Sequence, residues 1–224
     1  MTLNARAWIG LTAVAAVMAF VLFVSAGTLR YGPAWGYLAV FFGASLLMTL
    51  DLMRTDPALL ARRLHGGPAA EARPAQQIAM LCASAGFLAL LVVPGLDYRF
   101  GWSHVPAAVI IAGDVLTTIG LYAVFLVYKV NTFASATIEV TGGQHVISSG
   151  PYAIVRHPMY AGSMLYLLGT PLALGSYWGL LALAAMMPAL IWRLLDEERF
   201  LCTTLPGYSE YTVTVRWRLI PGVY

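Results

Sequence analysis

Residues 158–195, PMYAGSMLYLLGTPLALGSYWGLLALAAMMPALIWRLL, form an apolar stretch of 38 residues whose length decides how the chain is built. About 20 helical residues cross the hydrocarbon core of a bilayer, so this stretch is too long for one crossing. Gly169, Thr170 and Pro171, followed by Gly175 and Ser176, supply a turn signal in its middle. The stretch therefore reads as a helical hairpin, with a first arm of about 17 residues at the lower end of spanning length. A hairpin returns to the side from which it starts.

Toward the N-terminus lie four more apolar runs, from about Trp8 to Leu29, Pro33 to Met53, Gln77 to Leu96 and Pro106 to Tyr128. The first is longer than the roughly 7 to 15 apolar residues of a cleaved signal peptide, so it reads as a retained helix. Residues 54–75, with Arg62, Arg63, His65, Gly66, Gly67, Pro68, Arg73 and Pro74, read as a water-facing loop. Asp97, Arg99, Trp102 and His104 separate the third run from the fourth, and Tyr98, Trp102 and Tyr128 sit where interfacial aromatics belong. These runs predict an all-α, polytopic membrane bundle of five to six transmembrane helices, ending in a helical hairpin and a short cytosolic tail. Residues 1–128 then form the N-terminal transmembrane helices, and residues 129–224 hold the chemistry.

Composition agrees. Of 224 residues, 60% are hydrophobic and 10% charged, against roughly 25% charged in a soluble domain. The mean hydropathy is +0.76, which excludes an ordinary soluble protein. A net charge of +3, with the charges concentrated between the apolar runs and at the C-terminus, gives no reason to expect nucleic acid as a partner, and Cys82 and Cys202 make neither a disulfide framework nor a metal site. Given a hairpin and an inner N-terminus, eleven of the thirteen basic residues fall on the inner side, leaving only Arg30 and Arg99 outside. That bias puts both termini and the polar segment 129–156 in the cytoplasm.

On this inner side the segment 150–162 contains Gly150, Pro151, Tyr152, Arg156, His157, Pro158, Tyr160 and Gly162. Pro158 suits a first helical turn, since its ring presets a helical φ and its missing N–H would be unpaired there anyway. Free backbone N–H groups at such a helix start would favour a ligand carboxylate. At the far end of the hairpin come Arg193, Asp196, Glu197, Glu198 and Arg199. Arg193 and Glu197 share a helix face, whereas Glu198 points about 100° away from Glu197, so the two acids can serve different partners. The hairpin must bring His157 close to Arg193, Glu197 and Glu198, with Tyr208 and Tyr211 following.

Gln144, Val146, Gly150-Pro151-Tyr152, Arg156-His157-Pro158-x-Tyr160-x-Gly162, Arg193-x-x-x-Glu197-Glu198, Gly207-Tyr208 and Tyr211 together resemble the signature of the isoprenylcysteine carboxyl methyltransferase family, a group related to the phospholipid methyltransferases. The resemblance covers roughly residues 129–221. It implies a membrane methyltransferase that holds S-adenosylmethionine at the cytosolic interface, without a metal and without a dinucleotide-binding domain. By matched position, Gln144, Val146, Gly150, Pro151, Tyr152, His157, Pro158, Tyr160 and Tyr211 would form the cofactor pocket, and Glu197 or Glu198 would meet the cofactor's ammonium or ribose. Arg193 would face the substrate side, which makes Arg193 and Glu197 the candidate catalytic pair. The implied partner is a lipophilic acceptor arriving from the surrounding membrane lipid, with an isoprenylcysteine-type carboxylate as the family default.

Such a carboxylate is ionised at neutral pH and needs no general base, and an arginine could orient it through a bidentate pair. A phospholipid amine or a small thiol would need a base, for which His157 or a glutamate is available. The residues by themselves do not choose between these acceptors. A sterol-reductase-like enzyme using NADPH shares a similar hairpin but would want further basic residues for the 2′-phosphate. A transporter or scaffold is suggested by Asp114 within the fourth run, although no internal repeat is visible. Asp114, as a lone acid in its span, reads as packed, hydrogen-bonded or protonated rather than catalytic, and Arg62 and Arg63 read as topological or headgroup contacts. Tyr208 and Tyr211 read equally as interfacial anchors and as pocket residues, and the many glycines of the spans need only helix packing as their cause.

Overall fold

The structure, a computed structural model, describes residues 1–224. It has eight α-helices, two 3₁₀ turns and no strand. Helices α1 (Leu3–Ala26), α2 (Gly32–Thr55), α4 (Pro74–Phe100), α5 (Ala107–Val130) and α7 (Gly179–Thr204) are each long and apolar enough to cross a membrane. Helix α6 (Pro158–Ala173) is the short arm of the hairpin, 16 residues, or roughly 24 Å at 1.5 Å per residue. Helices α3 (Pro57–Leu64) and α8 (Tyr208–Thr214) are short. Caps set several boundaries: the Thr2 hydroxyl accepts from the Ala5 N–H ahead of α1, the Asp56 carboxylate accepts from the Leu59 N–H ahead of α3, and Gly101 closes α4 with φ near +66°.

Small residues bring α5 and α6 together backbone to backbone. A methyl group added at Gly113 would lie 2.2 Å from the Ala173 nitrogen, at Gly120 2.4 Å from the Tyr166 nitrogen, and at Gly169 2.5 Å from the Thr117 hydroxyl. Glycines seven apart on each helix, 113 with 120 and 162 with 169, recur about every two turns on one face. In a membrane, such close approach yields dispersion contact that larger side chains would prevent. Of the turn signal Gly169-Thr170-Pro171 and Gly175-Ser176, only the second part lies in the turn. The helix runs through the first part to Ala173 and turns at 174–178, where Gly175 has φ +68°. Gly169 is small because Thr117 needs the space.

At the end of the bundle holding 27–31, 101–106 and 174–178, the chain is tied by a closed polar knot. Asp97 lies not in a connector but on α4, within a turn of its end, where it is 1% exposed. Its carboxylate accepts from the Ser103 N–H at 2.7 Å, the Ser103 hydroxyl at 2.6 Å and the Ser176 hydroxyl. Tyr31 donates to the Leu174 carbonyl and stacks on Tyr98 with ring centroids 4.2 Å apart.

The opposite end gathers both termini, the connector 56–73, the segment 131–157 and α8. The connector is not the water-facing loop that its composition suggests. It folds instead into α3 and a 3₁₀ turn, with Leu59, Leu60 and Glu71 buried. Leu59 and Leu60 pack with Ala7, Leu52 and Ala134, so α3 has an apolar face to bury despite its arginines. The tail also returns: the backbone N–H groups of Arg156 and His157 donate to the carbonyls of Trp217 (2.8 Å) and Arg218 (2.9 Å). Those two donors are therefore spent on the chain itself.

Candidate active site

Between α4, α6, α7, α8 and the strap 131–149 lies a cavity of about 320 Å³, at the lower end of the roughly 300–1,000 Å³ of small-molecule sites. On α7 its lining runs from Leu190 through Arg193 and Glu197 to Leu201, and on α6 from His157 through Tyr160 and Ser163 to Leu167. These stretches of twelve and eleven residues give it a length of roughly 15 Å. The deep end is apolar, with Met80, Ala83, Leu167 and Leu190. Toward the chain termini it becomes polar and aromatic, with Tyr152, His157, Glu197, Tyr208 and Tyr211. One hollow thus offers an oily half and a hydrogen-bonding half.

Hairpin closure is the local cause. The helix start and the helix exit meet: Tyr160 donates its hydroxyl to the Glu197 carboxylate at 2.7 Å, and His157 Nε2 lies 3.3 Å from Glu198 Oε2. The two adjacent acids do point to different partners. Glu197 faces the cavity, while Glu198 sits behind the wall, 8% exposed, with Arg156 Nε at 3.2 Å and Arg218 Nε and Nη2 at 3.0 and 2.8 Å. Buried charge is tolerated only when paired and hydrogen-bonded, and three basic side chains meet that condition for Glu198. The Arg218 guanidinium gains as well, its pKa raised by the hydrogen bond to Glu198.

Arg193 is also engaged, though not by Glu197. Its Nη2 lies 2.6 Å from Glu71 Oε1, its Nη1 donates to the Gln76 side-chain oxygen at 2.9 Å, and Nη2 reaches the Ala136 carbonyl at 3.2 Å. Gln76 in turn donates to Asp196, which pairs with Arg73 at 2.9 Å, and Glu71 accepts from the Ile138 N–H at 3.2 Å. This chain of contacts joins connector, strap and α7 around one guanidinium. Glu71 and Gln76 carry no motif and no regular spacing to Arg193, so only the fold reveals them. Asp114 stays apart from all of this, on α5 near Gly36, with its Oδ1 lacking a hydrogen-bond partner.

Of the residues named from sequence, Gln144, Val146, Tyr152, His157, Tyr160, Arg193, Glu197 and Tyr211 line the cavity together, and Tyr208 joins them. Gly150, Pro151, Pro158 and Glu198 do not. Gly150 has φ +57° and opens the 3₁₀ turn Gly150–Ala153, which aims Tyr152 inward, and Pro158 begins α6. Tyr152 accepts from the Asn131 amide at 2.7 Å, and Tyr211 donates to the Tyr152 carbonyl at 2.7 Å. Burial pushes the Tyr152 phenol up to about 12, so it is neutral at physiological pH. Tyr208 is 5% exposed and its hydroxyl has no partner in the protein.

The helices that build this cavity can be set beside known proteins. Residues 108–205 match the phospholipid methyltransferase family. The match takes in α5, the strap, α6 and α7, so it ends just before the two tyrosines of α8 and excludes the connector that supplies Glu71. The residues that carry the motif resemblance and the residues matched by the family fall on the same hairpin. The chain is also 32% identical over 102 residues to the cobalt-zinc-cadmium resistance protein CzcN of Cupriavidus metallidurans. That alignment covers 43% of this chain and 45% of CzcN, less than half the length of either.

Proposed function

We propose that the protein is an S-adenosylmethionine-dependent membrane methyltransferase that binds its methyl donor in the polar half of the cavity and a lipophilic acceptor in the apolar half. The observation that carries this reading is the two-part hollow, lined by Glu197, Tyr152 and Tyr208 at one end and by Met80, Leu167 and Leu190 at the other, within helices that match the phospholipid methyltransferase family. S-adenosylmethionine presents an ammonium, a carboxylate, a ribose diol and a sulfonium. Glu197 is an acidic acceptor for the ammonium or diol, the phenols and Gln144 supply hydrogen bonds, and Val146 with the aromatic rings supplies apolar wall.

Bound there, the donor supplies an electrophilic methyl group that moves to the acceptor by in-line displacement. With an anionic nucleophile its charge and that of the sulfonium would cancel in that step, and the work left to this chain would be alignment and exclusion of water. Tyr160 fixes Glu197 by its hydrogen bond, the strap 131–149 covers the polar end, and the tail carbonyls of Trp217 and Arg218 hold the start of α6 in place. With the basic residues cytoplasmic, the donor would enter from the cytosol and the acceptor laterally from the membrane lipid.

An isoprenylcysteine-type carboxylate, the acceptor of the resembling family, would be oriented by Arg193 after displacing or sharing Glu71. An amine or thiol would leave that ion pair intact and would use Glu197, the acid on the cavity, to receive a proton. Calorimetry on the protein in nanodiscs should give saturable binding of S-adenosylmethionine and none of NADPH; the absence of saturable donor binding would refute the proposal. With labelled donor, prenylcysteine, phosphatidylethanolamine and short thiols then separate the acceptors. Transfer to prenylcysteine supports the carboxylate reading, and transfer confined to amine or thiol replaces it.

A further inference from the structure

Four tyrosines surround the polar half of the cavity, and their hydroxyl groups are not equivalent. Tyr152 is paired with Asn131, Tyr160 with Glu197 and Tyr211 with the Tyr152 carbonyl, all at 2.7 Å. Tyr208 is the exception: its ring is packed with Leu205, Tyr211 and Val215, yet its hydroxyl is buried without any protein partner. A buried hydroxyl without a hydrogen bond is costly, and native interiors seldom keep one. Its charged neighbours are Glu197, Glu198 and Arg156, and burial followed by the Glu197 charge raises the phenol's pKa. It therefore stays protonated and able to donate.

We propose that Tyr208 is a ligand-binding residue whose hydroxyl completes its hydrogen bonding only when the methyl donor fills the polar half of the cavity. The inference rests on the donor site proposed above. It assigns to Tyr208 a direct contact, and it assigns to its neighbour Tyr211 a different duty, that of bracing the Tyr152 turn. Both lie on α8, three residues apart and on the same face, so position alone would make them interchangeable. Their hydroxyl partners separate them.

The test compares Tyr208→Phe and Tyr211→Phe with the parent protein in nanodiscs, without acceptor, by calorimetric titration of S-adenosylmethionine and by the Tm of the unliganded protein. Tyr208→Phe should weaken donor binding about three- to tenfold, the equivalent of one hydrogen bond, with an unliganded Tm equal to or above the parent's, because an unpaired buried hydroxyl has been removed. Tyr211→Phe should lower the unliganded Tm and change donor affinity less than Tyr208→Phe does. Unchanged donor affinity in Tyr208→Phe, or a fall in its unliganded Tm, would overturn this assignment while leaving the donor site standing. Failure of the parent protein itself to bind S-adenosylmethionine would overturn both.

Discussion

The two ends of the bundle each bury acidic side chains, and they bury them differently. At the Asp97 end, one carboxylate receives three hydrogen bonds from Ser103 and Ser176, and the knot joins α4, the α4–α5 loop and the α6–α7 turn. At the His157 end, Glu71, Glu197 and Glu198 lie among Arg156, Arg193 and Arg218 around a hollow of about 320 Å³. Hydroxyls and backbone N–H groups suffice to satisfy a single acid in a fixed joint. Several charges held around open volume, with one phenol left unpaired, make an arrangement that a ligand can complete. Burial of polar groups is therefore common to both ends, while the hollow of about 320 Å³ and the unpaired phenol lie at the His157 end.

Substitutions can break this contrast. The largest effect is expected for Glu198→Ala, which strands Arg156 and Arg218 in the wall; breaking such a buried set costs about 3–5 kcal/mol, so both the Tm and donor binding should fall in parallel thermal and calorimetric measurements. Asp97→Ala should cost about 2–3 kcal/mol from unpaired buried groups, visible as a lower Tm in detergent, with donor affinity of the folded fraction unchanged. Loss of donor affinity there would show that the far end is coupled to the cavity. Glu197→Gln keeps the shape and a hydrogen bond to Tyr160 but removes the charge; donor binding by titration should weaken about tenfold, or about 1.4 kcal/mol, with little change in Tm.

The smallest effect concerns the cap of α3. Burial opposes ionisation of Asp56, but hydrogen bonds from Thr132 and the Leu59 N–H outweigh it, and the carboxyl is held below its ordinary value. A depressed folded-state value means that this stability is present at neutral pH and is lost as the pH falls through the folded-state value. Asp56→Ala should cost about 1 kcal/mol at neutral pH, and the gap between its Tm and the parent's should close on acidification. A constant gap would mean that the side chain caps α3 equally well when its carboxyl is protonated.

Much of the architecture is legible in the chain as written. Span lengths, the hairpin and the clustering of basic residues on one side all follow from one-dimensional apolar and charge patterns, because a membrane admits few alternatives to a helix. The opposition of Glu197 and Glu198 is also legible, since adjacent helical residues diverge by about 100°. Less legible is the connector 56–73: its arginines and glycines mask the burial of Leu59, Leu60 and Glu71, which depends on a surface made by α1, α2 and the strap. The hairpin turn is legible in part, since Gly175 and Ser176 lie in it and Gly169 and Pro171 do not. Gly169 and Pro171 look like turn residues until the close passage of α5 is known.

The sequence by itself determined that this is a helical membrane protein whose imidazole, guanidinium and carboxylate groups share one side, because hydrophobic length and connectivity leave no other folding of the last apolar stretch. Tertiary structure alone decided which acid faces the cavity, that Glu71 and Gln76 take Arg193, that the tail takes the N–H groups of Arg156 and His157 just ahead of α6, and that Tyr208 rather than Tyr211 keeps a free hydroxyl. Those outcomes depend on contacts between residues 20 to more than 120 apart. Such pairings have no local period to read, since they are set by the angle and depth at which helices pack.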